Sequence, residues 1–171
     1  MCAAAGGHWR RKYNSLCIVT GKPSYIFVLD IDNKGSNESE HGLNTWNRLI
    51  EENGQINTWT ARSPNGGLHI YFKYSERLEI FHTCANITID GKTTSIDIRT
   101  DGGMIIAPPS NYLSNDNSRV KAYTWITSPY SDVELADMPD WLFDKLNIGA
   151  NLKAAGKPRT TIQRISTDKI S

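Results

Sequence analysis

The chain has little sulfur chemistry to offer. Its three cysteines are Cys2, Cys17 and Cys84, widely spaced and without a CxxC pair. That pattern excludes a structural zinc site and a disulfide framework. It predicts two small buried residues and one terminal thiol. No run approaches the ~18 apolar residues of a membrane span. Residues 1–7 lack the basic region and apolar stretch of a signal peptide. An intracellular protein, cytoplasmic or nuclear and not secreted, is the expectation. There is also no charge excess: Lys and Arg outnumber Asp and Glu by one, for a net charge of +1. Binding to nucleic acid by bulk charge alone is therefore not expected. Basic residues do cluster locally, at Arg10, Arg11 and Lys12 and again from Lys153 to Arg164.

What is present is a chain of 171 residues with 39% hydrophobic content, enough for one domain with a real core. Residues 1–14 read as a flexible segment, 15–148 as the globular domain, and 149–171 as a basic linker or tail. Short strands are expected at Leu16–Thr20, Tyr25–Asp32, Thr58–Ala61, Leu68–Lys73, Ser95–Thr100, Met104–Ala107 and Tyr123–Ile126. Pro108-Pro109 is expected to end one of them. Residues 111–121 read as a polar loop, and Asp90-Gly91 as a hairpin turn. Leu43, Trp46, Leu49 and Ile50 recur at helical spacing before Gly54, which predicts a helix near 40–53. Pro139 suits the first turn of a short helix through Leu146.

Three segments carry chemistry. In Val28-Leu29-Asp30-Ile31-Asp32 and in Ser95-Ile96-Asp97-Ile98-Arg99, apolar residues alternate with charged ones. A strand sends alternate side chains to opposite faces. Asp30 and Asp32 then share one face, and Asp97 and Arg99 share another. Hard divalent cations favour such oxygen ligands, and a third acid from a separate strand is what a two-metal site requires. Taken singly, Asp30 and Asp32 read as a strand-end acid pair or a helix-capping acid, and Asp97 equally well as a salt-bridge partner of Arg99 or a neighbouring lysine. The third segment, Ser63-Pro64-Asn65-Gly66-Gly67-Leu68-His69, ends a glycine turn with a histidine. Glycines let backbone N–H groups approach a phosphate, and His69 could hydrogen-bond one. A lone histidine after a hairpin turn is also ordinary. Arg62, Lys73 and Arg99 are candidate phosphate partners, each also readable as a solvated charge. Trp46, Trp59, Trp125 and Trp141 read as core, with base stacking as the other use of such rings.

The order of these elements is more specific than any one of them. The chain runs from the strand bearing Asp30-Ile31-Asp32 through a helix to ARSPNGGLHIYFK, then SIDIRTDGGMIIAPPS, then YTW. This resembles the primase-polymerase (Prim-Pol) branch of the archaeo-eukaryotic primase superfamily over roughly residues 16–145. Within it, the chain is similar to primase modules of viral or mobile-element primase-helicases. The resemblance implies an α+β fold, an αβ module abutting an RRM-like module with the active site between the sheets. It implies a DNA primase/polymerase, a nucleotidyltransferase of DNA replication. Asp30, Asp32 and Asp97 would be catalytic and would hold two Mg²⁺ or Mn²⁺ ions. His69, Gly66, Gly67, Arg62, Lys73 and Arg99 would bind the nucleotide. The partners implied are a DNA template and primer, nucleoside triphosphates, and a fused or associated helicase, with no membrane. The family's usual serine two residues before the histidine is Gly67 here. The competing expectations are a non-catalytic module that binds single-stranded nucleic acid and a metal-dependent nuclease.

Overall fold

A computed structural model describes residues 13–34, 41–114 and 118–148. The terminal segments expected at 1–12 and 149–171 lie outside the described residues. Tyr13 and Asn14, expected within the flexible segment, instead begin the first strand.

The fold is mixed α+β. Its centre is a five-stranded sheet of β2 (Ile26–Ile31), β3 (Thr60–Arg62), β4 (Leu68–Lys73), β7 (Ile96–Arg99) and β10 (Thr124–Thr127). The strand order is β10-β3-β4-β2-β7, and each neighbouring pair is antiparallel. Antiparallel neighbours need only short connections, and β3 reaches β4 through the Ser63–Gly67 turn. A second sheet joins β1 (Tyr13–Val19), β8 (Met104–Leu113) and β9 (Val120–Ala122) in the order β1-β8-β9. A small hairpin of β5 (Thr88–Ile89) and β6 (Lys92–Thr93) turns at Asp90-Gly91. Both turn residues have positive φ, at 50° and 76°, as a type I′ turn demands. Among the described residues, no helix is long and apolar enough to cross a membrane.

Helix α1 (Gly42–Asn53) follows from its spacing. Trp46, Leu49 and Ile50 are buried against the central sheet, and Gly54 closes the helix with its N–H on Ile50 O. Helix α2 (Asp140–Ile148) lays Leu142 and Leu146 on the same side. Phe27, Leu29 and Ile31 of β2, Ile70 and Phe72 of β4, and Ile96 and Ile98 of β7 complete this core. Each large side chain buried there contributes roughly 1.5–3 kcal/mol.

The opposite face of the same strands, expected to face outward, is covered at one end. Val28, Ala61 and Tyr71 meet Ile105 of β8, with Trp59 and Trp125 packed beside them. Tyr71 and Trp125 rings lie 5.4 Å apart. The reason is that the chain continues past β7 through a tight turn into β8, which lays a second layer over this face.

Two expectations fail at β8. The strand does not stop at Pro108-Pro109, a cis pair, but runs on to Leu113. Proline cannot donate to a ladder, and here the pairing register shifts between Asn14 and Leu16 opposite it. The Leu16 N–H is satisfied by Ser110 Oγ at 2.7 Å instead. The region read as a loop over 111–121 is largely a hairpin, with Asn111–Leu113 paired to Val120–Ala122. Cys17, expected to be buried, is exposed on β1.

Candidate active site

Strand register brings the chemistry together. Asp30 on β2 is paired with His69 on β4 and with Asp97 on β7. Three side chains therefore stand in a row across adjacent strands on one face, at the strand spacing of ~4.8 Å. Arg99, two residues beyond Asp97, shares that face. Asp32 lies one residue past the end of β2, kept in line by its N–H on Ser95 O at 2.9 Å.

Two glycines allow that close fit. A Cβ on Gly67 would lie 2.4 Å from Ile31 O, and one on Gly42 2.8 Å from Asp32 O. The backbone around Asp32 is thus clamped between a turn and a helix start. Gly67 is required by packing, so the serine usual in the family has no room there. The Ser63 hydroxyl lies 3.0 Å from where that Cβ would be. Gly66 serves the turn differently. Its φ is +88°, and its N–H is taken by Ser63 O at 3.0 Å. That N–H closes the turn and is not presented to a ligand, contrary to the expectation for Gly66.

The carboxylates have cationic and hydrogen-bonding partners. His69 Nε2 lies 3.3 Å from Asp30 Oδ1. Arg99 Nη2 lies 3.3 Å from Asp30 Oδ2 and 2.6 Å from Asp97 Oδ2. The Asn86 N–H donates to Asp97 Oδ1 at 2.8 Å. Lys34 Nζ lies 2.5 Å from Asp32 Oδ2. The environments push the two central acids apart. Burial opposes the charge on Asp30, but the His69 hydrogen bond and the His69 and Arg99 charges outweigh it and hold its carboxyl below the ordinary value. Burial dominates at Asp97 and raises it, aided by the nearby charges of Asp30 and Asp32, despite Asn86 and Arg99. The Nδ1 of His69, itself buried, has no hydrogen-bond partner.

Asp30, Asp32, His69 and Arg99 open onto a cleft of about 390 Å³, while Asp97 stands behind Arg99 and does not itself line it. One wall holds Asp30, Asp32, His69 and Arg99. The turn gives Ser63, Pro64 and Asn65. The remaining wall comes from the second sheet and its surroundings: Cys17, Met104, Ile106, Tyr112 and Tyr123. The Tyr123 ring stands 5.5 Å from that of His69. This wall escaped sequence reasoning, because nothing in the local pattern of β8 or of Ala122-Tyr123 marks a cleft. Only the crossing of β1 and β8 beside β7 puts it there. A larger depression, about 510 Å³, lies between α1 and the β5–β6 hairpin. It lacks clustered acids, and its Arg48 is already paired with Glu52 and Asp90.

Arg62 and Lys73 are not brought into the cleft. Arg62 pairs with Leu68, so it belongs to the helix-side face, one residue out of phase with His69. Lys73 shares the face of His69 but lies four residues along β4, opposite Ile26 at the far end of β2.

The donor set suits hard cations. One nitrogen of Arg99 touches an oxygen of both Asp30 and Asp97, so those oxygens already converge on a single positively charged point. Among the described residues, no three His, Cys, Asp or Glu side chains close around a common point as they stand.

Clustered strand carboxylates with a histidine at a glycine turn fit phosphoryl chemistry, and sequence comparison agrees. The N-terminal domain family of bifunctional DNA primase/polymerases, Prim-Pol, matches residues 3–141. The chain belongs to the Prim-Pol family. The match spans every strand described above and the start of α2. It supports a primase/polymerase type of function, with DNA and nucleotides as substrates. No curated protein matches the chain in sequence.

Proposed function

We propose that this Prim-Pol domain carries out template-directed nucleotidyl transfer, with Asp30, Asp32 and Asp97 as the catalytic carboxylates. The observation that carries the reading is the register pairing of Asp30 with both Asp97 and His69. It sets two acids and a histidine side by side on one face, with Asp30 and His69 lining a cleft large enough for a nucleotide. Two Mg²⁺ or Mn²⁺ ions held by these acids would activate a primer 3′-hydroxyl and neutralise the departing pyrophosphate. The protein's own part is positioning and charge. Asp30 supplies a fixed negative charge, since its neighbours keep it ionised. His69, locked against Asp30, orients the triphosphate. Arg99 offers a planar donor fork to phosphate oxygens. Ser63 and Asn65 present polar side chains where the turn meets the cleft. Met104, Ile106, Tyr112 and Tyr123 form an apolar and aromatic wall against which a base can rest.

In this reading the active site lies between two modules. One is the five-stranded sheet with its helices; the other wall is drawn from β1–β8–β9. Residues 13–148 contain both.

Primer extension on a labelled primer-template with nucleotides and Mn²⁺ tests the proposal. The domain lengthens the primer, and Asp97→Ala abolishes the longer products. Shortened products would establish a nuclease. Metal-independent binding without any change in length would establish a binding module.

A further inference from the structure

The carboxylates of the proposed site are already partly neutralised by two basic side chains. Arg99 Nη2 occupies the point where Asp30 Oδ2 and Asp97 Oδ2 converge, at 3.3 and 2.6 Å. Lys34 Nζ occupies the corresponding place on Asp32. Leaving His69 aside, three negative charges face two positive ones, so the cluster carries one net negative charge. Both cations reach solvent, to different degrees. The Lys34 side chain is 71% exposed and that of Arg99 28%. The Arg99 Nε has no hydrogen-bond partner where it stands, so part of its donor fork is unused. The Lys34 pair opens onto water and is weak, whereas Arg99 reaches water only on the cleft side and its partners Asp30 and Asp97 are largely buried. Arg99 also lines the cleft beside Ser63 and Asn65, within the space a triphosphate would fill.

We infer that Arg99, with Lys34 as its second, is a displaceable counter-ion: it holds the carboxylates in register without metal and passes to the nucleotide phosphates once divalent cations take those oxygens. The inference rests on the nucleotidyl-transfer reading of this site. Its electrostatic logic is an exchange. Two divalent cations reverse the sign of the cluster, and the two released basic heads then add to a positive surface that faces a triphosphate. A guanidinium suits the second role because its fork matches phosphate geometry. The consequence is cooperative binding: metal and nucleotide strengthen one another, because metal frees the donor that the nucleotide needs.

The test uses the full chain without DNA. Mn²⁺ affinity is read from the free-ion EPR signal, and a non-hydrolysable triphosphate analogue is titrated calorimetrically in Mg²⁺. Arg99→Ala should bind Mn²⁺ at least about threefold more tightly than the wild type, since a competitor is gone. The same variant should bind the analogue roughly tenfold more weakly, as expected for a lost charge-assisted hydrogen bond. Arg99→Lys keeps a competing charge and should leave Mn²⁺ affinity near wild type. Asp97→Asn should lose Mn²⁺ affinity at least tenfold. If Asp97→Asn loses Mn²⁺ while Arg99→Ala binds it equally or less well, the exchange is wrong and the site stands. If Mn²⁺ affinity does not depend on Asp97, the site itself is wrong and the exchange falls with it. Should Arg99→Ala fail to fold, the wild-type Arg99 Nε–H resonance decides: it moves on adding Mg²⁺, and an unmoved signal overturns the inference.

Discussion

The two faces of the central sheet use the same strands for opposite purposes. On one face, Phe27, Leu29, Ile31, Ile70, Phe72, Ile96 and Ile98 form a dry core beneath α1 and α2. One residue out of phase, Asp30, His69, Asp97 and Arg99 form a charged row. The apolar face carries the stability, while the charged face is tolerable only because each group has partners. Its own apolar end, Val28 and Tyr71 under Ile105, anchors the second layer and stops short of the acids. The difference teaches that a single period-2 pattern can hold a rigid core and a reactive cluster less than a strand's width apart. Stability and activity should therefore respond separately to substitutions on the two faces.

The largest separation should come from Asp97→Ala and Leu29→Ala. The first should lower the primer-extension rate by on the order of 10³-fold or more, with a thermal melt close to wild type. Leu29→Ala removes a fully buried side chain and should cost about 3–4 kcal/mol, lowering Tm by roughly 10 °C. Its residual folded fraction should still extend primers. If Asp97→Ala unfolded the domain, or if Leu29→Ala removed activity from the folded fraction, the faces would not be separable.

Gly67→Ala should fall between the two behaviours. The added methyl meets the Ile31 carbonyl, which is backbone and cannot swing aside. A cost of about 1–3 kcal/mol follows, together with a higher KM for nucleotide as Asp32 and the turn shift. Steady-state kinetics at a temperature well below the melt would check it.

A smaller effect concerns pH. Asp97 holds its proton more tightly in the folded chain than in the unfolded one, so its ionisation withdraws stability as pH rises above the ordinary carboxylate range. Asp30 is held below that range. It contributes stability at neutral pH that is lost as pH falls through its lowered value. In metal-free protein at pH 7, Asp97→Asn should thus raise Tm by about 1–2 °C and Asp30→Asn should lower it. Equal shifts of the same sign in calorimetric melts would contradict the contrast between the two acids.

Much of the charged face was legible in the sequence because it follows from alternation. Leu29 and Ile31 against Asp30, and Ile96 and Ile98 against Asp97, are local patterns that any strand converts into two faces. Their partnership was not local. It depends on β2 lying between β4 and β7, and only the family resemblance suggested it. Arg62 shows the limit of counting residues: it sits near the turn in sequence, yet the register with Leu68 turns it to the other face. The role of Gly67 was hidden because the reason is a carbonyl of another strand. Tyr123, Met104 and Cys17 gave no signal, since a cleft wall built by crossing sheets leaves no period. Pro108-Pro109 misled for a related reason. A serine hydroxyl and a register shift on the neighbouring strand accommodate what the prolines cannot donate.

The central claim is that Asp30, Asp32 and Asp97 form one metal-dependent site facing a nucleotide. Its most direct test is a crystal structure with Mn²⁺ and a non-hydrolysable triphosphate, located by anomalous scattering. The account predicts manganese bound by Asp30 and Asp97, with Arg99 turned toward the phosphates. Manganese bound elsewhere, with Arg99 still bridging the two carboxylates, would contradict it.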